Sequence, residues 1–365
     1  MSLHPGGTEK PKHLDIKKLL KSVLAFKSSD LHLVPGSEPQ IRIDKELRAL
    51  NLPILSASEI EQMAYALIEE KQKKEFEENY ELDFSFELKD IGRFRANYYR
   101  TIHGIACAFR MIPLNIPTLD EYGNPPIFKE LIKREKGLIL VTGPTGSGKS
   151  TTLASMLHEI NMTQRRHIIT VEDPVEFVHK NNKSLFSQRD VGSTTKSFAA
   201  ALKYALRQDP DIILIGEMRD KETIAAALTA AETGHLVFGT LHTNSAPGTI
   251  NRIIDVFDGD EQPQIRAQLA SSLVSIISQM LIPKKDGGMV ATQEILISNP
   301  AIGNLIREDK MHQIYSQMQI NQQETFMTTQ NQQLMELLQE DIISKENAIR
   351  SSNRPEELLK AMENL

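Results

Sequence analysis

Apolar residues recur at helical spacing over residues 12–26, through Leu14, Ile16, Leu19, Leu20, Val23 and Leu24, and predict an amphipathic helix. Short alternating runs follow at 30–34, 40–43 and 46–50. Helical spacing returns over 58–76, with Ser56 or Ser58 as its cap. Residues 81–86, 92–100 and 105–111 then read as three strands. Helices beside meandering strands predict a compact α+β domain that ends near Ile112.

Pro113, Pro117, Pro125 and Pro126 fall within fourteen residues, and 113–126 reads as an interdomain linker. Beyond it the pattern becomes α/β. Strands are expected at 137–142, 167–171, 211–216 and 236–240, and helices at 150–161, 194–208 and 221–233, the last closed by Gly234. Such alternation implies a mainly parallel sheet covered by helices. After Pro263 the chain reads as mostly helical, and the Gln-rich stretch 313–333 as a solvated helix face or loop. The expected organisation is a domain at 1–112, the linker, and a larger α/β domain at 127–365.

Composition narrows the class. The 365 residues are 40% hydrophobic and 25% charged, with no Trp, so aliphatic side chains must form most of the core. A net charge of −6 argues against a generally basic nucleic-acid-coating protein, and no nucleic-acid partner is expected. Cys107 is the single cysteine, which excludes an intrachain disulfide and a cysteine-built zinc site and fits a reducing cytoplasm. The polar segment 1–12, with Pro5, Gly6, Gly7 and Pro11, has no apolar core of the signal-peptide kind. The most apolar stretch, 273–282, is too short for a bilayer, which takes about 20 residues. A soluble chain follows, with any membrane link made through a partner.

The chemistry begins at Gly143-Pro144-Thr145-Gly146-Ser147-Gly148-Lys149-Ser150, a full G-x-x-x-x-G-K-[ST] match set between a strand and a helix. Its glycines let backbone N–H groups converge on phosphate oxygens, and the helix adds its positive end together with Thr151. Lys149 can reach the β and γ phosphates and the Ser150 hydroxyl can ligate Mg²⁺, so the loop reads as an ATP and Mg²⁺ site. A second feature puts Glu172, Asp173 and Glu176 after an apolar strand, where carboxylates hold Mg²⁺, orient a water or merely cap a turn. A third is Ile212-Ile213-Leu214-Ile215-Gly216-Glu217, where Gly216 occupies the usual Asp position and leaves Glu217 to act on Mg²⁺ or on the attacking water. His235 and His242 flank the 236–240 strand, as structural residues or as donors to a γ phosphate. Arg93, Arg95, Arg100 and Arg110 cluster in the first domain, and Arg93 and Arg95 share a strand face because Phe94 separates them.

This order of loop, acidic box, Glu217 strand and histidine box resembles the secretion ATPases that power type II and type IV secretion and type IV pili. The resemblance runs from Ser29-Asp30-Leu31-His32-Leu33 to Asn353-Arg354-Pro355-Glu356-Glu357. Ala301-Ile302-Gly303-Asn304-Leu305-Ile306-Arg307-Glu308 is similar to a signature of the pilus-retraction (twitching-motility) branch, with Gly303 where Arg is usual. Residues 324–333 lack that branch's usual Gly-Met-Gln-Thr-Met-Asp pattern. Extension and type II secretion motors are usually longer and carry a four-cysteine zinc element that this chain cannot form.

The resemblance implies a PAS-like N-terminal domain, a RecA-like ATPase domain and a homohexameric ring with nucleotide between the domains. It implies Glu176 and Glu217 as the groups that activate water and Mg²⁺, without assigning which does which. His235 and His242 become catalytic candidates, and Arg95 and Arg110 match the family's phosphate-contacting arginines, with Arg93 a weaker match. The implied partner is the inner-membrane platform protein of the pilus machinery, met from the cytoplasmic side. Extension or secretion motors and a non-hydrolysing nucleotide-binding scaffold are the competing readings.

Overall fold

The computed structural model describes residues 14–26, 28–43, 46–112 and 115–363. The 1–12 segment, the first two residues of the expected 12–26 helix and Pro113 of the expected linker lie outside the described residues. The chain divides into two compact units, Met1–Asn115 and Ile116–Leu365.

The first unit is built on β1 (Asp30–Leu33), β2 (Gln40–Ile43), β3 (Glu46–Ala49), β4 (Glu81–Leu88), β5 (Gly92–Thr101) and β6 (Gly104–Ile112). They form an antiparallel sheet in the order β3-β2-β1-β6-β5-β4. Helix α1 (Ile16–Ala25) buries Ile16, Leu19, Leu20 and Val23 as one stripe. The single helix expected over 58–76 is two: α2 (Ala57–Tyr65) and α3 (Glu70–Asn79). Ser56 makes a capping box with Glu59, and Glu69 restarts the chain with Gln72 in the same way. Leu67 and Ile68 lie between the helices and pack on the core, so apolar spacing runs across the break and hides it. The inward residues Phe94, Ala96 and Tyr98 of β5 alternate with outward Arg93 and Arg95.

The second unit contains α4 (Ile127–Leu131), β7 (Gly137–Thr142), α5 (Lys149–Thr163), β8 (His167–Glu172), β9 (Leu185–Asp190), α6 (Phe198–Ala205), β10 (Ile212–Ile215), α7 (Lys221–Glu232), β11 (Leu236–Leu241), α8 (Ala246–Ile254) and α9 (Gln262–Ser272). Then come β12 (Leu273–Pro283), β13 (Met289–Ile297), α10 (Pro300–Arg307), α11 (Ile314–Met318), α12 (Gln322–Thr325), α13 (Gln330–Gln339), α14 (Lys345–Ser351) and α15 (Pro355–Met362). The sheet order is β13-β12-β7-β11-β10-β8-β9, parallel throughout except for the β12–β13 pair. Both faces of its centre are covered. Leu138, Leu140, Ile213 and Val237 pack on the side of α7, α8 and α9, while Ile139, Val141, Leu214 and Phe238 pack on the side of α4 and α5.

Two expectations for this unit are corrected. The stretch after Pro263 is helical before and after 273–297 but not within it, because β12 and β13 form a long hairpin through Gly287 and Gly288. The β-branched Ile276 and Ile277 pair in parallel with β7 on one side and with β13 on the other, and Ile282 pairs with β13. The Gln-rich stretch is not merely solvated. Gln330 and Asn331 are 5% and 7% exposed, and Gln333 Oε1 accepts the backbone N–H of Gln293 at 2.6 Å. The strand β9, polar from Ser187 onward, was not expected at all, and the helix expected over 194–208 is only α6, capped by Ser197. Much of the stretch read as a linker belongs to the second unit: Leu119 is in its core and Asn124 Oδ1 accepts from Gln293 Nε2 at 3.1 Å.

Among the described residues, no helix is long and apolar enough to cross a membrane. Gly303 lies buried in α10 against α9, and a Cβ there would sit in ordinary contact, 3.4 Å from the Ala270 carbonyl oxygen and 3.5 Å from the Arg307 guanidinium. Gly303→Ala should therefore raise stability by about 0.5–1 kcal/mol through helix propensity alone. Urea unfolding would read the gain, and a loss would mean that the helix pair tolerates no added methyl.

Candidate functional site

Four adjacent parallel strands, β7, β11, β10 and β8, end at one edge of the second sheet. The loop 143–150 follows β7, His242 follows β11, Glu217 follows β10, and Glu172 to Glu176 close β8. Residues nearly a hundred positions apart in sequence thus meet because parallel register aligns strand ends.

The loop is shaped by glycine. Gly143, Gly146 and Gly148 have φ of 142°, 77° and 87°, a region that residues with a Cβ rarely enter. Side chains at Gly143 and Gly148 would also strike the Gln279 carbonyl oxygen and the Tyr122 hydroxyl. Gly148 is the N-cap of α5, so the N–H groups of Lys149, Ser150 and Thr151 form its first turn and have no intrahelical acceptor. The Ser147 hydroxyl is buried without a hydrogen-bond partner. Lys149 is buried, and its ammonium donates to the carbonyls of Gly143 and Pro144 at 2.9 and 3.0 Å. Burial lowers its pKa, opposed by the charges of Glu217 and Glu176. A cradle of free amides around a desolvated cation fits a bound polyphosphate.

Glu217 is held from two sides. Arg219 Nε lies 2.5 Å from Oε1 and Arg219 Nη2 donates to Oε2 at 2.6 Å, while His242 Nε2 is 3.2 Å from Oε1. Burial pushes its carboxyl up, but the Arg219 fork and His242 outweigh it and keep the pKa below the usual value. Its backbone is clamped too: Gly216 N–H donates to Val171 O at 2.7 Å and Thr240 Oγ1 to Gly216 O at 2.5 Å. A Cβ at Gly216 would lie 3.0 Å from Glu172 Cα, which explains why no aspartate stands there.

The remaining sequence candidates divide. Glu176 donates its N–H to Glu172 Oε2 at 3.4 Å and faces Lys149 electrostatically. His235 is not brought to this edge. It precedes β11, beside Gly137, and its Nδ1 lies 3.0 Å from Ala230 O at the end of α7. Six strand residues span about 20 Å, so two histidines flanking one strand occupy opposite edges of a sheet. In the first unit Arg95 and Arg110 are direct cross-strand partners, each bound to an aspartate: Arg95 Nη2 to Asp83 at 2.5 Å and Arg110 Nε to Asp30 at 2.8 Å. The carboxylates offset the repulsion between facing like charges. Arg93 donates to Ser85, and Arg100 covers the Tyr80 ring.

Three neighbours of the loop were not foreseen. Gln279 of β12 is 1% exposed; its Nε2 donates to Ser147 O at 2.7 Å and its Oε1 accepts from Thr152 Oγ1 at 2.7 Å. Tyr122 sits with its hydroxyl among the side chains of Gln279, Thr151 and Thr152. Arg219, two residues after Glu217, had the clearest signal, a cation next to a candidate carboxylate. Tyr122 and Gln279 had none, because one lay in an apparent linker and the other in an apparent helix.

Glu172 is partly exposed as a residue, yet burial of its carboxyl raises the pKa to about 7, with the nearby Thr170 hydroxyl and the Glu176 amide opposing the rise. The folded protein therefore keeps this proton where an unfolded glutamate, titrating near 4.3, has lost it. Stability should fall by roughly 3 kcal/mol as pH rises from below 4.5 to about 7, and be flat in this respect above that. Glu172→Gln should remove that part of the slope, as denaturant unfolding at pH 5 and pH 8 would reveal; an identical slope in both proteins would contradict it.

Comparison with known proteins identifies the family. The family model described as "Type II/IV secretion system protein" matches residues 7–358. The chain is 50% identical over 343 residues to the type IV pilus retraction ATPase PilT of Pseudomonas aeruginosa, covering 94% of this chain and 99% of that protein. It is 50% identical over 321 residues to a twitching motility protein of Neisseria gonorrhoeae, covering 88% and 86%. The crystal structure of the pilus retraction motor PilT with bound ADP superimposes with a TM-score of 0.90 at 49% identity, over 95% of this chain and all of that one. The chain belongs to the type II/IV secretion system protein family.

Proposed function

We propose that this chain is an ATP-hydrolysing motor that drives type IV pilus retraction, the activity behind twitching motility. The observation that carries the reading is the shared sheet edge, where the 143–150 loop, Glu217 and His242 close three neighbouring strands. The half-identical relatives named for retraction and twitching, matched over nearly their whole length, support the direction of work.

ATP binds with its β and γ phosphates against the amides of Gly146 to Thr151, and Lys149 exchanges its loop carbonyls for phosphate oxygens. Mg²⁺, when bound, neutralises charge on those oxygens. The Ser150 hydroxyl and Glu217 are the groups that would hold it. Glu217 stays ionised because Arg219 and His242 hold it so, and Glu176 or Glu217 orients the attacking water. His242 senses the γ phosphate through its contact with Glu217. Arg95 and Arg110, released from Asp83 and Asp30, supply positive charge to the triphosphate from outside the loop, a contribution to phosphoryl transfer known to be large.

The working assembly we propose is a homohexamer acting on the inner-membrane platform protein of the pilus, on the cytoplasmic side. Loss of γ-phosphate contacts after hydrolysis turns one domain against the other about the segment near Asn115.

Steady-state phosphate release tests the reading. Lys149→Ala should abolish turnover, and Glu217→Gln should depress it while nucleotide still binds; a wild-type rate in either would remove that residue from the mechanism. Cells without the protein should keep their pili and lose twitching, whereas bald cells would point to extension. Gly303→Arg, which restores the usual residue of the retraction branch, should leave the ATPase rate within about twofold, since its neighbours are Ala270 and Arg307 and not the loop.

A further inference from the structure

The loop that carries His242 has a second anchor far along the chain. After β11 ends at Leu241, residues His242, Thr243 and Asn244 lead into the Ser245 cap of α8. Thr243 Oγ1 lies 2.6 Å from Thr249 Oγ1, which lies 3.4 Å from Thr142 Oγ1, the residue before the phosphate loop. Ala246 N–H donates to Glu294 Oε1 at 2.8 Å. On the other side of the loop, Asn353 Nδ2 donates to Asn244 O at 2.5 Å.

Asn353 is itself fixed. Its N–H donates to Gln330 Oε1 at 2.9 Å, and Gln330 Nε2 donates to Ser351 O at 3.0 Å. Asn331 Nδ2 donates to Arg354 O at 3.1 Å and Asn331 Oδ1 accepts from Ser352 Oγ at 2.6 Å. The Arg354 guanidinium covers the Tyr315 ring at 3.8 Å. Gln330, Asn331 and Glu294 are all under 8% exposed, a concentration of satisfied amides and carboxylate that holds one tail segment in one place. Between this segment and the loop lies a cavity of ≈ 250 Å³, lined among others by Ser245, Glu294, Tyr315 and Asn353. Such a space is roomy enough for water, and the hydrogen bond that crosses from the tail to the loop backbone is the one from Asn353.

We infer that Asn353 is a positioning residue for His242: the tail segment from Ser351 to Arg354 clasps the loop through the Asn244 carbonyl and keeps the imidazole on Glu217. This rests on the role given to His242 above. Small displacements of a group near a reacting centre cost rate more than binding. Asn353 is on the solvent side, so the effect lies at the lower end of what one hydrogen bond controls, about threefold in rate.

The experiment compares kcat and KM for ATP in the full chain carrying Asn353→Ala, the isosteric Asn353→Asp, His242→Ala and the His242→Ala/Asn353→Ala pair. Asn347→Ala, which frees the same tail from Pro283 O, is the control for general loosening. Expected are kcat values about threefold lower in both Asn353 variants with KM unchanged, a wild-type kcat in Asn347→Ala, and a double variant no slower than His242→Ala. Should Asn353→Ala fail to fold, Asn353→Asp decides by the same readout. Unaffected Asn353 variants beside a slowed His242→Ala, additive losses in the double variant, or a fall in Asn347→Ala as large as in Asn353→Ala would each overturn the clasp. A wild-type kcat in His242→Ala would instead overturn the role of His242 and the clasp with it.

Discussion

Everything at the site depends on the parallel register of β7, β11, β10 and β8. In an antiparallel sheet successive strands would finish at alternate edges, and the loop, Glu217 and His242 could not meet. Parallel pairing requires crossover helices, and these bury both faces of the sheet. That requirement accounts for the fully buried run of β7 and for the aliphatic core, which needs no Trp. It also fixes the fate of the two histidines. Leu236 is opposite Gly137 and Leu241 opposite Thr142, so a histidine before β11 is carried away from the edge that a histidine after it occupies.

Around that edge the charges balance locally. Lys149 is desolvated, and the carboxylates of Glu217 and Glu176 oppose the loss of its proton. Glu217 in turn has Arg219 and His242. The polar groups are therefore prepaired in a form that an incoming triphosphate can displace one partner at a time, carbonyls from Lys149 first. Glu172 is the exception: burial of its carboxyl, beside the acids Glu176 and Asp190, shifts it toward the protonated form.

The phosphate loop and the aliphatic strands of the second unit were legible because their signals are local. Five glycine or lysine–serine positions in eight residues define the loop, and continuous aliphatic runs mark buried parallel strands. What the sequence concealed is non-local. Residues 273–283 are apolar enough for helix or strand, and only pairing with β7 and β13 decides. Tyr122 looked like part of a proline-rich tether, yet its hydroxyl abuts Gly148. The paired placement of Arg95 and Arg110 arises from cross-strand register, which no spacing of 15 residues encodes.

The misread hairpin and the misread glutamines have a common consequence. Gln279, at the inner strand of that hairpin, bonds the loop backbone at Ser147, and Gln293, at the outer strand, bonds Gln279 at 3.2 Å and receives Gln333 from α13. A chain of hydrogen bonds thus runs from the phosphate loop through two strands to Gln333 of the tail. Each amide in it would be costly to bury alone, so its members must stay in register together or separate together. The tail is thereby physically continuous with the site although it begins nearly two hundred residues away. Gln279 can hold both Ser147 and Gln293 because a carboxamide donates and accepts at once, which a carboxylate or a lysine could not do.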